Sequence, residues 1–217
     1  MKRFLLFIPF MMLIALSASA YDGESNFTHN RPSFSGALTS SDCWQLEISY
    51  HYMFCRYLGI GGGVGELKNY FVDGYASGKG WHINGDDEKP EHIYLHPSVV
   101  IKSPSIRIKQ TRWGIYAEPG TFITIPYTSV TITSYANMNK IEFRHARTKK
   151  GQWFAQDIRL GLYIDIGPGS ISFGYTWSNF DIYSQFRHLS YKGTSFSEFY
   201  PSKPSMHGAF LSISGNF

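Results

Sequence analysis

The segment Gly208-Ala209-Phe210-Leu211-Ser212-Ile213-Ser214-Gly215-Asn216-Phe217 decides the architecture of this 217-residue chain. Ala209, Leu211, Ile213, Gly215 and Phe217 alternate with Gly208, Phe210, Ser212, Ser214 and Asn216. A period of two describes a β-strand with one apolar face. The same alternation recurs upstream. Trp44, Leu46, Ile48, Tyr50, Tyr52 and Phe54 face away from Gln45, Glu47, Ser49, His51 and Met53. A short Cys55-Arg56-Tyr57 connection leads into Leu58, Ile60, Gly62 and Val64, which completes a hairpin.

Further pairs follow. Ile93, Leu95, Pro97, Val99 and Ile101 begin a strand reaching about Ile108; Lys109 to Arg112 turn it into a partner carrying Trp113, Ile115 and Ala117. Pro119-Gly120 predicts a bulge before Ile123, Ile125 and Tyr127 resume. Ile158, Leu160, Leu162, Ile164 and Ile166 form another strand, Gly167-Pro168-Gly169 reads as a turn, and Ile171, Phe173, Tyr175 and Trp177 return. With an opening strand at Pro32 to Leu38 and the closing one at Ser205 to Phe217, the count is eight, or ten if one long loop contains a hairpin.

Met1 to Ala20 has a cationic start (Lys2, Arg3), an apolar run from Phe4 to Leu16 and the small residues Ala18-Ser19-Ala20, the pattern of a cleaved signal peptide. The mature domain is then 21–217. The apolar run is too short for a membrane-spanning helix, which needs about 20 residues. A mature chain that crosses a membrane must therefore close into a barrel, because in lipid only helices and barrels pair every backbone group. Antiparallel order places the short connections at 55–57, 109–112 and 167–169 on one face and the long ones at 68–92, 128–152 and 180–205 on the other. Transmembrane barrels distribute turns and loops in this way. The expected fold is thus an all-β, transmembrane, antiparallel up-and-down barrel, monomeric and single-domain.

Composition agrees. There are 17 Phe, 15 Tyr, 5 Trp and 21 Gly at a charged fraction of 17%, as aromatic girdles and tight sheet packing require. Removing Lys2 and Arg3 from the 20 basic residues leaves 18 against 16 acidic ones, too balanced for a nucleic-acid partner. Cys43 and Cys55 lie twelve residues apart on one strand. At ~3.3 Å per residue that is about 40 Å, beyond the ~7 Å reach of a disulfide. Both are expected to be free thiols, and no zinc site is indicated.

The hairpin from Leu46 to Gly65, the run from Arg159 to Asp181 with Gly174-Tyr175-Thr176, and the terminal strand together resemble the small outer-membrane β-barrel proteins of Gram-negative bacteria, including OmpA-like and porin-like barrel domains. The final Phe217 is similar to the assembly signal that such chains present to the outer-membrane assembly machinery. The resemblance implies integral residence in the outer membrane, contact with its lipid and lipopolysaccharide, and no particular activity.

Glu47, His51, Arg107, Glu118, Asp157, Arg159 and Asp165 fall on faces opposite the apolar series. They are expected to form a charge network in the lumen, with Glu47 and Arg159 as natural partners, since buried charge must be paired or hydrated. The same charges could instead line a small channel. Glycines 59, 61, 63 and 65 lack a phosphate-loop spacing and read as packing positions in a narrow barrel. Arg144, His145, Arg147, Lys149 and Lys150 concentrate positive charge in one long loop, where Arg144, Arg147, Lys149 and Lys150 are candidates for contact with lipid phosphates. Asp86-Asp87-Glu88 lacks the alternating oxygen ligands of a calcium loop, and the sequence calls for no metal or cofactor. His188-Leu189-Ser190, with Glu198 following, resembles the His-x-Ser of the lipid A deacylase family, with Tyr191 where that family has Asn. The resemblance implies a histidine base activating a serine toward an acyl ester. The principal expectation is nevertheless a structural or surface-interaction protein acting through its long outer loops. A secreted soluble barrel of lipocalin type is a further alternative.

Overall fold

A computed structural model describes residues 28–215 apart from 73, 86, 138, 139, 167 and 168. The expected signal peptide, Phe217 and the Gly167-Pro168 part of the turn lie outside the described residues. In chain order the strands are β1 (Asn30–Thr39), β2 (Cys43–Cys55), β3 (Leu58–Asn69), β4 (Ser77–Gly78), β5 (Trp81–Ile83), β6 (Glu91–Lys102), β7 (Ile106–Ile108), β8 (Thr111–Thr124), β9 (Thr128–Asn137), β10 (Lys140–Thr148), β11 (Phe154–Ile166), β12 (Gly169–Ser178), β13 (Ser190–Tyr191), β14 (Thr194–Ser195) and β15 (Met206–Gly215).

Among the described residues, eight long strands run in the order β11-β12-β15-β1-β2-β3-β6-β8, and β8 pairs back onto β11 to close the cylinder. Every pairing is antiparallel. Closure leaves no unpaired edge in the wall. The alternation of the sequence becomes a division between outside and inside. Ile48 is 70% exposed and Ile213 57%, with Leu211, Leu162, Leu95 and Ile115 also on the outer surface. Glu47, Ser49, His51, Ser212 and Ser214 on the opposite faces are buried.

Three local expectations change. The Pro119-Gly120 bulge is absent: β8 keeps one register through Pro119↔Ile158 and Gly120↔Asp157. Gly120 is needed there for space, because a Cβ would lie 2.2 Å from His96 Nε2. The strand expected to reach Ile108 breaks at residues 103–105, and β7 continues alone along the start of β8. Arg107, in β7, is exposed and pairs in register with Arg112, apart from the buried cluster it was expected to join. The hairpin that would have made ten strands does form, as β9 and β10, but it joins β5 and β4 in a separate four-stranded sheet.

The long connections at 70–90, 125–153 and 179–205 build a folded cap over one end. Trp81, Ile83, Val130, Ile132, Phe180, Ile182, Phe186, Leu189, Phe196 and Tyr200 share one apolar core with Leu67, Tyr94, Phe122 and Met206 of the barrel wall. Trp81 stacks on Phe196 at 5.9 Å, and Phe186 meets Tyr200 edge-on at 4.9 Å. His92 Nε2 lies 2.9 Å from the Ile182 carbonyl, tying cap to wall.

Candidate functional site

Below the cap, the inward faces of β2, β6, β8 and β11 converge on a cluster of charge. Arg159 forks onto Glu47, with Nη2 donating to Oε2 at 2.6 Å and Nη1 to Oε1 at 3.1 Å. Nη1 also donates to Ser35 Oγ at 3.2 Å and lies 3.5 Å from Glu118 Oε2. His96 stands between two acids, with Nδ1 3.1 Å from Glu47 Oε2 and Nε2 3.3 Å from Asp157 Oδ2. The second of these is an ion-pair distance without hydrogen-bond alignment, so both atoms lack a hydrogen-bond partner. Tyr94 donates to Glu47 Oε2 at 3.1 Å and accepts from Gln45 Nε2 at 2.7 Å. Glu118 accepts from Ser98 at 2.9 Å and from the Tyr116 hydroxyl, and His51 Nε2 lies 2.8 Å from Ser98 Oγ.

The structure therefore brings Glu47, His51, Glu118, Asp157 and Arg159 together. Asp165 sits lower, accepting from Lys102 Nζ at 2.9 Å. Lys102 also lies 3.9 Å over the Tyr163 ring. Arg31 donates to Ser214 at 3.1 Å in the same lower part of the lumen. Sequence reasoning missed His96 and Tyr94, although their positions opposite Ile93, Leu95 and Val99 carried the signal.

Ligand atoms of Glu47, His96 and Glu118 all fall within 4.8 Å of one another, close enough to share a metal ion. The Arg159 guanidinium already engages both carboxylates. A fixed cation fills the charge role that a metal would take, so the donor set does not fit one well. The cluster is also buried from bulk solvent: Glu47 is 1% exposed, His96 0% and Arg159 2%.

A closed cylinder, apolar outside and carrying paired charge in a dry interior, inverts the distribution of a water-soluble protein and satisfies the requirements of lipid. This chain has the fold of the small outer-membrane β-barrel proteins. No protein-family model matches it, and neither does any curated protein. Among solved structures, the barrel is similar to a major outer membrane protein from Thermus thermophilus, at 14% identity and a TM-score of 0.49, covering 87% of this chain and 99% of that one. Neisserial surface protein A gives 11% identity and a TM-score of 0.41, covering 87% and 96%. Ail, the attachment invasion locus protein of Yersinia pestis, gives 11% and 0.38, covering 88% and 99%.

The remaining candidates lie in the cap. Arg144, His145 and Arg147 are on β10, an edge strand, and Lys149 and Lys150 follow it. All five are exposed. They do not share one face, since Arg144 turns to the side of Glu142 and donates to it at 3.0 Å. His188 ends a 3-10 turn at Phe186–His188, Ser190 begins β13, and Glu198 ends a second 3-10 turn at Phe196–Glu198. The two turns pack together, with Phe196 N donating to the Leu189 carbonyl at 3.0 Å. All three side chains are exposed, and among the described residues no hydrogen bond joins them.

Proposed function

We propose that this chain is an integral outer-membrane protein whose barrel is a non-conducting pedestal and whose work is surface interaction through the cap. The observation that carries this reading is the apolar core shared by cap and wall. Three long connections are folded into one body and fixed to a rigid cylinder, which is how binding surfaces are held in place. The dry charge cluster beneath supports a structural role for the lumen. In orientation, the cap faces the exterior and the short turns face the periplasm, the usual arrangement of bacterial barrels. Export by the segment 1–20 and assembly through the terminal strand complete the reading. An antibody against residues 128–150 is expected to bind intact cells; binding only after permeabilisation would refute the proposed orientation.

A second reading has one observation in its favour. His188, Ser190 and Glu198 are all exposed around one small hairpin. Deacylation would need the imidazole to take the serine proton and the carboxylate to orient it. Mass analysis of lipid A from expressing cells tests this: an acyl chain lost with the wild type and kept with Ser190→Ala would establish the esterase, and identical lipid in both would remove it.

A further inference from the structure

The four-stranded cap sheet has two unlike faces. Val130, Ile132, Ser134, Ala146, Trp81 and Ile83 turn toward the cap core and are buried. The other face carries His82, Tyr135, Ile141, Phe143, His145 and Arg147. Register places Thr133 between His82 and Phe143, Tyr135 opposite Ile141, and Thr131 opposite His145. Phe143 is 65% exposed and Ile141 58%. The His82 ring lies 5.8 Å from Tyr135 and 6.3 Å from Tyr75.

This face is graded along the strands. β10 ends where Thr148 pairs with Thr128, close to Thr124 at the top of β8. Arg147, Lys149 and Lys150 therefore stand at the barrel rim, above the exposed Ile125, Tyr127, Trp153 and Phe154. Among the described residues no carboxylate pairs with these three cations. The aromatic part begins four residues further up β10, at Phe143, roughly 13 Å from Arg147 at ~3.3 Å per residue.

From the membrane outward the order is apolar wall, unpaired cations, exposed rings. A phosphorylated glycolipid rooted in the same leaflet presents the complementary order: acyl chains, phosphates, then sugar rings whose C–H faces stack on aromatics. We propose that this face binds the phosphorylated saccharide headgroup of outer-leaflet lipopolysaccharide in cis. Arg147, Lys149 and Lys150 meet its phosphates, and Phe143, Tyr135 and His82 meet its sugars. This deepens the surface-interaction reading and rests on it. Cationic side chains near an anionic lipid surface act additively, and exposed aromatic groups supply area at low entropic cost.

The probe is purified deep-rough lipopolysaccharide, titrated against the full barrel refolded in zwitterionic detergent, with heat-modified gel mobility confirming that each variant is folded. Replacing Arg147, Lys149 and Lys150 together by Ala is expected to weaken binding roughly 10- to 100-fold. The same loss is expected when wild-type protein meets enzymatically dephosphorylated lipopolysaccharide. The pair Tyr135→Ala and Phe143→Ala is expected to weaken both preparations several-fold. Unchanged affinity in the cation variant overturns the proposal, as does a wild type that binds heparin but not lipopolysaccharide, which would point to a sulfated glycan from outside the cell. A cap exposed on intact cells combined with unchanged affinity sinks this inference alone; a cap hidden from antibody sinks the reading beneath it.

Discussion

Replacing Arg159 by Met tests what holds the interior together. The guanidinium is 2% exposed and forks onto Glu47 while approaching Glu118 and Asp157. Methionine keeps an unbranched aliphatic stem and removes the charge. Three buried carboxylates then remain with hydroxyl donors beside them and, among the described residues, no ion-pair partner but His51 and His96. Removing one partner of a buried ion pair typically costs about 3–5 kcal/mol, because the survivor is left uncompensated. The expected loss is in that range, read as a lower urea midpoint for unfolding from lipid vesicles, followed by tryptophan fluorescence. Adding Glu47→Gln removes the charge that Arg159 neutralises most directly, so the double variant is expected to recover at least about 1 kcal/mol of that loss, a positive coupling between residues in contact. A single variant within about 0.5 kcal/mol of wild type, or a double variant whose losses simply add, would refute the claim that this pair carries the interior.

Gly120→Ala puts a methyl 2.2 Å from His96 Nε2, and overpacking of this kind costs about 1–3 kcal/mol; the same urea titration checks it, and His96→Ala is expected to cost less in the Gly120→Ala background than in the wild type, a coupling between residues in contact. Trp81→Ala removes a ring stacked on Phe196 in the cap core, a change typically worth about 3–5 kcal/mol; limited trypsin digestion is expected to cut the cap faster while the barrel keeps its heat-modified mobility. In planar bilayers the wild type is expected to show no discrete conductance steps, and regular steps at neutral pH would contradict a sealed lumen.

The barrel was legible because its signal is local. Alternation in Trp44–Phe54 and Gly208–Phe217 assigns each side chain to a face whatever the strand pairs with, and the inward face of β2 already implied that Glu47 needed a cation. The same reasoning covered His96 and Tyr94, but attention to the apolar series of β6 left the opposite face unread. Arg107 failed for a geometric reason: the strand breaks at 103–105, and the short β7 that follows lies exposed along the start of β8, away from the buried cluster. Pro119 read as an interruption because proline removes a donor, while the close approach of His96 to Gly120 is visible only in three dimensions. The cap was hardest. β4 and β5 have two and three residues, and β5 pairs with β9 some fifty positions away through Trp81↔Ser134 and Ile83↔Ile132. No short window contains that information.

Arg159 reaches across the lumen from β11 to Ser35 on β1 and Glu47 on β2, partners 124 and 112 positions away in the chain. Such contacts cannot exist in a half-curled sheet. Until β1 and β15 meet, Glu47 and Ser35 sit on a stretch of open ribbon apart from the guanidinium, which then has only its sheet neighbours Glu118 and Asp157 beside it, and the groups left unpaired still need water. The moment of zipping therefore coincides with the moment of drying, and folding should be all-or-none at that seam. An insertion intermediate would have to keep a wet groove until its first and last strands join.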